Sequence, residues 1–383
     1  MIAVCAKRIY TGEEILEGGH LLIEGGKIVG VGDGDIPEGA EVISFGDANI
    51  FPGFIDPHCH IGIMEEIIGA AGSDENERSN PVTPYLRAID AINPMDESFE
   101  KALEKGVTTV VTGPGSANVM GGSFLAMKTW GRCVDKMVLK DPVAQKIAFG
   151  ENPRKVYGMN RDTMPKTRMA VAWLIRKALF DAMEYKRRRD LAVGKAPLDP
   201  TLEPLVAVLE KKIPLKAHAH RADDIFTALR IAREFDVNIT LDHCTEAHLI
   251  WEELKEAQIP IILGPTFGTK SKFELKEKGF HTLVRMAEEG IAFAMMTDHP
   301  VLPCESLPRM AGLAVAEGVP EEVALRAITI EAARAVGIAD RVGSLEVGKD
   351  ADLCIYDKNP LREMDARCLA TIIDGEFRHR KET

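Results

Sequence analysis

No uninterrupted apolar run in this sequence approaches the roughly 20 residues that a membrane-spanning helix requires, so no membrane role is expected. The N-terminal MIAVCAKRIYTG places its basic residues after a very short apolar run rather than before a long one. That is unlike a secretory signal, and a cytoplasmic protein is expected. Basic residues are in deficit: 47 Lys and Arg against 59 Asp and Glu give a formal net charge of −12, which argues against nucleic acid or another polyanion as partner. The one basic run, Lys186 to Arg189, falls in a helical pattern and reads as a solvated helix face. Seven cysteines, an odd number without paired spacing, suit reduced thiols better than a disulfide framework. Cys59, Cys244 and Cys304 read as small buried fillers. Nucleotide signatures are missing too. The glycine-rich TGPGSANVMGGSF, Thr112 to Phe124, lacks both the G-K-[ST] ending of a P-loop and the G-x-G-x-x-G spacing of a dinucleotide site, and reads as an irregular loop that lets backbone approach a ligand.

What is present is a chain of 383 residues, long enough for a barrel of about 250 residues with a satellite domain. Its 45% hydrophobic and 28% charged content is that of a soluble globular protein. Up to about residue 50 it shows short strand-like runs split by glycines (HLLIEGG, KIVGVG, EVISF) and no helix. After Gly53 strand-like and helical runs alternate, as in βα units. FIDPHCH, TTVVTGPG, IPLKAHAH, VNITLDHC, IPIILGPTFG and IAFAMMTDHP read as strands. DESFEKALEKG, TRMAVAWLIRKALFDAMEYKRRRD, RADDIFTALRIAREF, EAHLIWEELKEA and EEVALRAIT read as helices. From about Gly343 the chain returns to β character in SLEVGKDADLCIYD and ATIIDGE. The expected architecture is an α/β fold: a (β/α)8 TIM barrel over residues 53–343 and a small β-sandwich-like domain composed of residues 1–52 and 344–383.

Each predicted barrel strand ends in polar or glycine-rich residues, and a barrel collects chemistry at the carboxyl ends of its strands. In FPGFIDPHCHIG, His58 and His60 are two apart, so on an extended strand end both imidazoles point to one side, a geometry that suits a divalent metal. Asp56 is placed to orient one ring through its second nitrogen. His218 and His220 alternate in the same way in IPLKAHAH, His243 lies near the end of VNITLDHC, and Asp298 follows IAFAMMT. Four separate strand ends carrying imidazole or carboxylate, in a chain with ten histidines, point to one convergent site.

That order, HxH followed by two strand-end His clusters and a final Asp, resembles the amidohydrolase superfamily, as do FPGFIDPHCH at the barrel entry and VGSLEVGKDADLCIYD at its exit. The resemblance covers essentially the whole chain and is greatest to the imidazolonepropionase-related amidohydrolases and metal-dependent dipeptidases. It implies one or two Zn²⁺ ions, with His58, His60 and Asp298 on the first and His218 and His243 on the second. Asp298 and His243 are then the catalytic residues, and Asp298 takes the proton of the attacking water. His220 is left for substrate contact, though His218 and His220 can exchange roles. A binuclear site also needs an anionic bridge between the cations, either a Glu or a carboxylated Lys. Glu151, after FG at a strand-to-loop transition, is the expected bridge. Lys146 stands before the apolar residues and reads as a surface lysine.

Arg154 and Tyr157, with Arg168 and Lys270, are polar residues in strand-end loops that can bind a substrate carboxylate. The implied reaction is hydrolysis of an amide in a small cyclic compound, dipeptide or N-acyl amine; the partner is a small molecule, and homo-oligomerisation stays open. Rival readings fit the residues less well, and a sugar or phosphate enzyme on a barrel lacks any phosphate-binding signature here. An aromatic deaminase on this scaffold carries H-x-x-E on the fifth strand, whereas Arg221 stands three after His218. A catalytically dead scaffold is disfavoured by retention of every expected ligand.

Overall fold

The computed structural model describes residues 1–66, 69–191 and 197–381. Both ends of the chain build β structure. Ile2–Cys5, His20–Glu24, Lys27–Gly32 and Glu41–Ser44 form a four-stranded sheet. Arg8–Tyr10, Ile15–Glu17 and Asn49–Pro52 share a six-stranded sheet with Leu353–Tyr356, Cys368–Ile373 and Glu376–Arg380. The join is direct: Leu353–Tyr356 runs antiparallel to Asn49–Pro52 in the register Leu353↔Pro52 to Tyr356↔Asn49. Alternating inward side chains of both sheets, among them Ile9, Leu21, Ile23, Ile28, Ile50, Ile355 and Ile372, make one apolar core. On this basis we propose that residues 1–52 and 344–383 are one unit. Gly53 turns the chain from this sheet into the barrel; a Cβ there would come within 2.1 Å of Thr108 Oγ1.

Eight strands then follow in spatial order: β1 (Phe54–Cys59), β2 (Val107–Thr112), β3 (Met120–Lys128), β4 (Val138–Ala148), β5 (Leu215–Ala219), β6 (Ile239–His243), β7 (Ile261–Leu263) and β8 (Ala294–Met295). The sheet curls into a barrel. Its two edges meet where His60 N donates to His299 O (2.9 Å) and Asp298 N to His58 O (3.2 Å). Two strands are absent from the sequence expectation, β4 and β3, and β3 runs antiparallel to both β2 and β4. Met120 to Phe124 are therefore strand and not loop. The cause is connection length, because parallel neighbours need a crossover of a dozen or more residues while antiparallel ones can be joined by a short turn, here residues 113–119. From β4 to β8 every pair is parallel.

Helices such as Arg168–Leu191 and Ala222–Phe235 cover the outside, burying Ile175, Ala178, Leu179, Ala182 and Ile225, Ala228, Leu229, Ala232 at helical spacing. The basic run Lys186 to Arg189 is ion-paired with Glu184, Asp190, Glu203 and Glu210 on this surface. Ala332, Ala333 and Val336 of the helix Ile330–Val336 plug the lower barrel against Ile55, Val111, Phe124, Ile262 and Met296. No helix among the described residues is long and apolar enough to cross a membrane. Cys59, Cys244 and Cys304 are fully buried, and burial pushes their thiols well above the usual range.

Barrel and terminal sheet are pinned by charge. Lys128, at the end of β3, reaches Asp352 (2.5 Å), Asp350 (3.0 Å) and Asp374 (3.1 Å). Burial pushes Asp352 up to about 6 even beside this ammonium. Lys128→Met should therefore leave uncompensated buried carboxylate and cost about 3–5 kcal/mol. Without its cation, Asp352 moves further up, so the folded variant gains a proton that the unfolded chain does not hold as pH falls. Thermal melts should show the deficit larger at pH 8 than at pH 5.5; a pH-independent deficit would refute this account.

Candidate metal centre

The carboxyl ends of β1, β5, β6 and β8 bring six side chains into two adjacent groups. His58, His60 and Asp298 form one, and His218, His220 and His243 the other; within each, the ligand atoms lie within 4.8 Å of one another. His243 joins them, its ring 4.3 Å from His218, 4.5 Å from His220 and 5.5 Å from His58 between centroids. Each group can hold a metal ion.

The hydrogen bonds of the rings decide what they offer. His60 Nδ1 donates to Gly113 O (2.7 Å), and His243 Nδ1 to Gly264 O (2.9 Å). A carbonyl only accepts, so both rings carry a proton on Nδ1; His243 then has a bare Nε2 lone pair, while His60 Nε2 faces Asp298 Oδ1. His220 Nδ1 meets Thr245 Oγ1 at 2.8 Å, and His58 Nδ1 is bound to Asp242. Nε2 of His218, His220 and His243 is buried without any protein partner. Three unsatisfied buried acceptors at one point are costly in an isolated protein and are what a divalent cation requires.

Charge agrees with this. Burial, with neighbouring cationic and imidazole groups, pushes His58, His218 and His220 well down and His243 down to about 4, so the rings are neutral. Burial alone would raise Asp298, but His243, His60 and His58 hold it well below the usual carboxylate range. Its Oδ1 lies 3.2 Å from His60 Nε2 and 3.7 Å from His58 Nε2.

Several sequence expectations are corrected. Asp56 does not orient an imidazole. It is buried beside Thr297, accepting from Thr297 Oγ1 and N and from His58 N, and burial pushes it up to about 7. Asp242, which the sequence reading passed over, takes that part; the D-H pair in TLDHC was its signal.

Glu151 does not join the cluster. Its Oε1 accepts from Glu274 N (2.9 Å), its own N donates to Glu274 Oε2 (2.8 Å), and it thus fastens the end of β4 to the loop after β7. Lys146 is not on the surface. It is fully buried on the inner face of β4, Nζ 3.3 Å from His58 Nε2, and burial lowers it to about 8. The alternation Ala144, Lys146, Ala148 on one face was its signal.

The groups open into a cavity of about 390 Å³. None of Arg154, Tyr157, Arg168 or Lys270 lines it. Arg154 donates to Lys166 O, Tyr157 is buried with its hydroxyl on Glu77 O and Asn80 O, Arg168 pairs with Asp224, and Lys270 donates to Lys276 O. Arg221, where a deaminase would have Glu, pairs with Asp223. Besides Lys146, the loop after β7 supplies the lysines that line the cavity, Lys272 and Lys278. That loop also buries Glu274, with Oε1 3.8 Å from His220 Nε2 and 3.1 Å from Lys272 Nζ.

A barrel whose strand ends carry two such groups is the architecture of metal-dependent hydrolases, and the comparisons agree. The amidohydrolase family profile matches residues 49–378, and the chain belongs to that family. The structure superposes on the crystal structure of an amidohydrolase from Thermotoga maritima MSB8 with a TM-score of 0.95 and 39% identity, over 99% of this chain and 100% of that one. Amidohydrolase tasK of Hapsidospora irregularis is 28% identical over 90% of this chain, which spans only 38% of its length. An imidazolonepropionase of Alkaliphilus oremlandii is 25% identical over 90% of this chain and 85% of its own. The chain is an enzyme, a hydrolase of carbon–nitrogen bonds.

Asp242 gives a test of the ring-orientation argument. Asp242→Asn preserves shape but removes the charge that holds His58 Nδ1, and metal affinity should fall about 10–100-fold. Competition with a chromophoric chelator measures it. Unchanged affinity would mean that His58 does not ligate.

Proposed function

We propose that this enzyme hydrolyses an amide bond in a small carboxylate-bearing molecule, a cyclic amide, dipeptide or N-acyl compound, with one or two Zn²⁺ ions at the barrel mouth. The observation that carries the reading is the convergence of bare Nε2 lone pairs beside an ionised Asp298. His58, His60 and Asp298 would hold one ion, and His218 and His243 the other. A divalent ion there supplies a Lewis acid that makes water nucleophilic near neutral pH and polarises the scissile carbonyl.

Asp298 accepts the water's proton and delivers it to the leaving nitrogen as the tetrahedral intermediate collapses. His220, hydrogen-bonded at Nδ1, presents Nε2 to the cavity and orients substrate. Lys278, whose ammonium has no ion-pair or hydrogen-bond partner among the described residues, and Lys272 bind the substrate carboxylate from the cavity wall. The bridging anion is assigned to Lys146 as its carbamate, because its Nζ alone among the strand side chains considered for the bridge lies beside a ligand ring.

A screen of zinc-loaded protein against dipeptides, N-acyl amino acids and cyclic amides tests the substrate class, and turnover confined to esters or aryl amines would exclude it. On the substrate so found, Asp298→Asn should keep the fold and lower turnover per bound metal by roughly 10² to 10⁴. Near-wild-type turnover would count decisively against Asp298 as proton acceptor. For the bridge, Lys146→Ala should lose both activity and bound metal, and bicarbonate with short-chain acids should restore part of each. Retained metal content in the unsupplemented variant would reject the carbamate.

A further inference from the structure

Away from the barrel mouth the structure holds a second imidazole cluster that the proposed reaction does not use. His248 lies on the turn Ala247–Leu249 just after β6, Glu277 on the loop after β7, and His281 at the start of the helix His281–Glu288. One ligand atom from each lies within 4.8 Å of the other two. The two rings meet edge to face with centroids 4.4 Å apart.

The cluster is prepared as the barrel histidines are. Thr282 Oγ1 donates its proton to Thr245 O (3.1 Å), so towards His248 Nδ1, 3.0 Å away, it can only accept. His248 is thereby an Nδ1–H tautomer with its Nε2 lone pair free. Gly279 makes room for the partner ring, since a Cβ there would stand 2.7 Å from His281 Nδ1. Two imidazoles and one carboxylate, with His281 open to solvent for a water, form a donor set for a borderline cation of the Zn²⁺, Co²⁺ or Ni²⁺ class rather than Mg²⁺ or Ca²⁺.

Its place in the fold gives such an ion a task. The loop between β7 and the helix His281–Glu288 lines the cavity with Phe267, Lys272, Leu275 and Lys278. Glu277 is next to Lys278, and His248 sits on the turn that follows His243. We propose that His248, Glu277 and His281 form a peripheral transition-metal site that clamps the cavity-lining loop after β7 to the turn after β6. This rests on the cluster's own geometry and stands whether or not the amide reading is right.

The test uses the full chain, stripped with chelator and equilibrated with Zn²⁺ buffered on the order of 1 µM. Wild type should hold about one more Zn²⁺ per chain than His281→Ala or Glu277→Gln. Both changes are at solvent-accessible positions, so metal-free melting should be unchanged. The difference is read between chains with the same barrel site, so its stoichiometry cancels. Hydrogen exchange of amides 266–280 should slow about tenfold on Zn²⁺ addition in wild type and much less in either variant. Equal Zn²⁺ content in wild type and variants would overturn the site, and an extra ion without added protection would overturn the clamp.

Discussion

A single buried carboxylate, Asp242, sets the geometry of the inner barrel. Its Oδ2 accepts from His58 Nδ1 and from Lys216 Nζ (2.9 Å), and its Oδ1 from Thr240 Oγ1 (3.1 Å); Lys216 also donates to Pro57 O (3.0 Å). These contacts join β1, β5 and β6 in a region from which water is excluded. An ion pair at such depth gains little net stability over an apolar substitute, since desolvation offsets most of the attraction. What it does supply is direction, because the carboxylate leaves His58 one tautomer and one ring orientation.

The rings of His60 and His243 are fixed by backbone, which places demands on the loops. Gly113 and Gly264 present the carbonyls that accept from His60 and His243. A Cβ on Gly113 would lie 2.3 Å from the Phe124 ring, and one on Gly264 2.4 Å from Met296 O. Gly264 also sits at φ +134°, open essentially to glycine alone. The glycine-rich stretch after β2 is thus explained by crowding around a histidine acceptor, with close packing of Phe124 beneath both Lys146 and Lys216 (5.3 and 5.5 Å from the ring centroid).

How much of this could be read in the sequence follows from how each residue sits. His58/His60 and His218/His220 were legible because a period of two at the end of an apolar run has one geometric meaning. Asp298 was legible from its position after IAFAMM. The pairing of the chain ends was legible from composition. Lys146 and Lys216 were not, because a lysine alternating with apolar residues also describes a strand with one wet face, and only closure of the barrel makes that face interior. Strand β3 was hidden by its glycines. Glu151 misled because its environment, a strand end beside the site, suits a ligand, while its backbone and carboxylate are spent on Glu274 123 residues away. Lys272 and Lys278 lie on a loop whose path no periodicity announces.

Charge balance then bears on the proposed bridge. The inner barrel holds the carboxylates of Asp242 and Asp298, with Asp56 pushed up to about 7 by burial, against the amines of Lys146 and Lys216. Lys216 is matched by Asp242. That leaves Asp298 as the one carboxylate in the two ligand groups, with the Lys146 amine beside His58 Nε2. Two dications added to this arrangement would meet a protonated Lys146 as a third like charge at close range. Addition of CO₂ to its neutral amine, forming an N–C bond and releasing one proton, would turn that group from repulsive to attractive and give it two oxygens to share. Glu151 could not do the same without giving up the hydrogen bond that secures Glu274 near His220. The proposed carbamate would thus reverse the sign of the lysine on β4 in place, whereas the glutamate at the loop is already committed to holding the cavity wall.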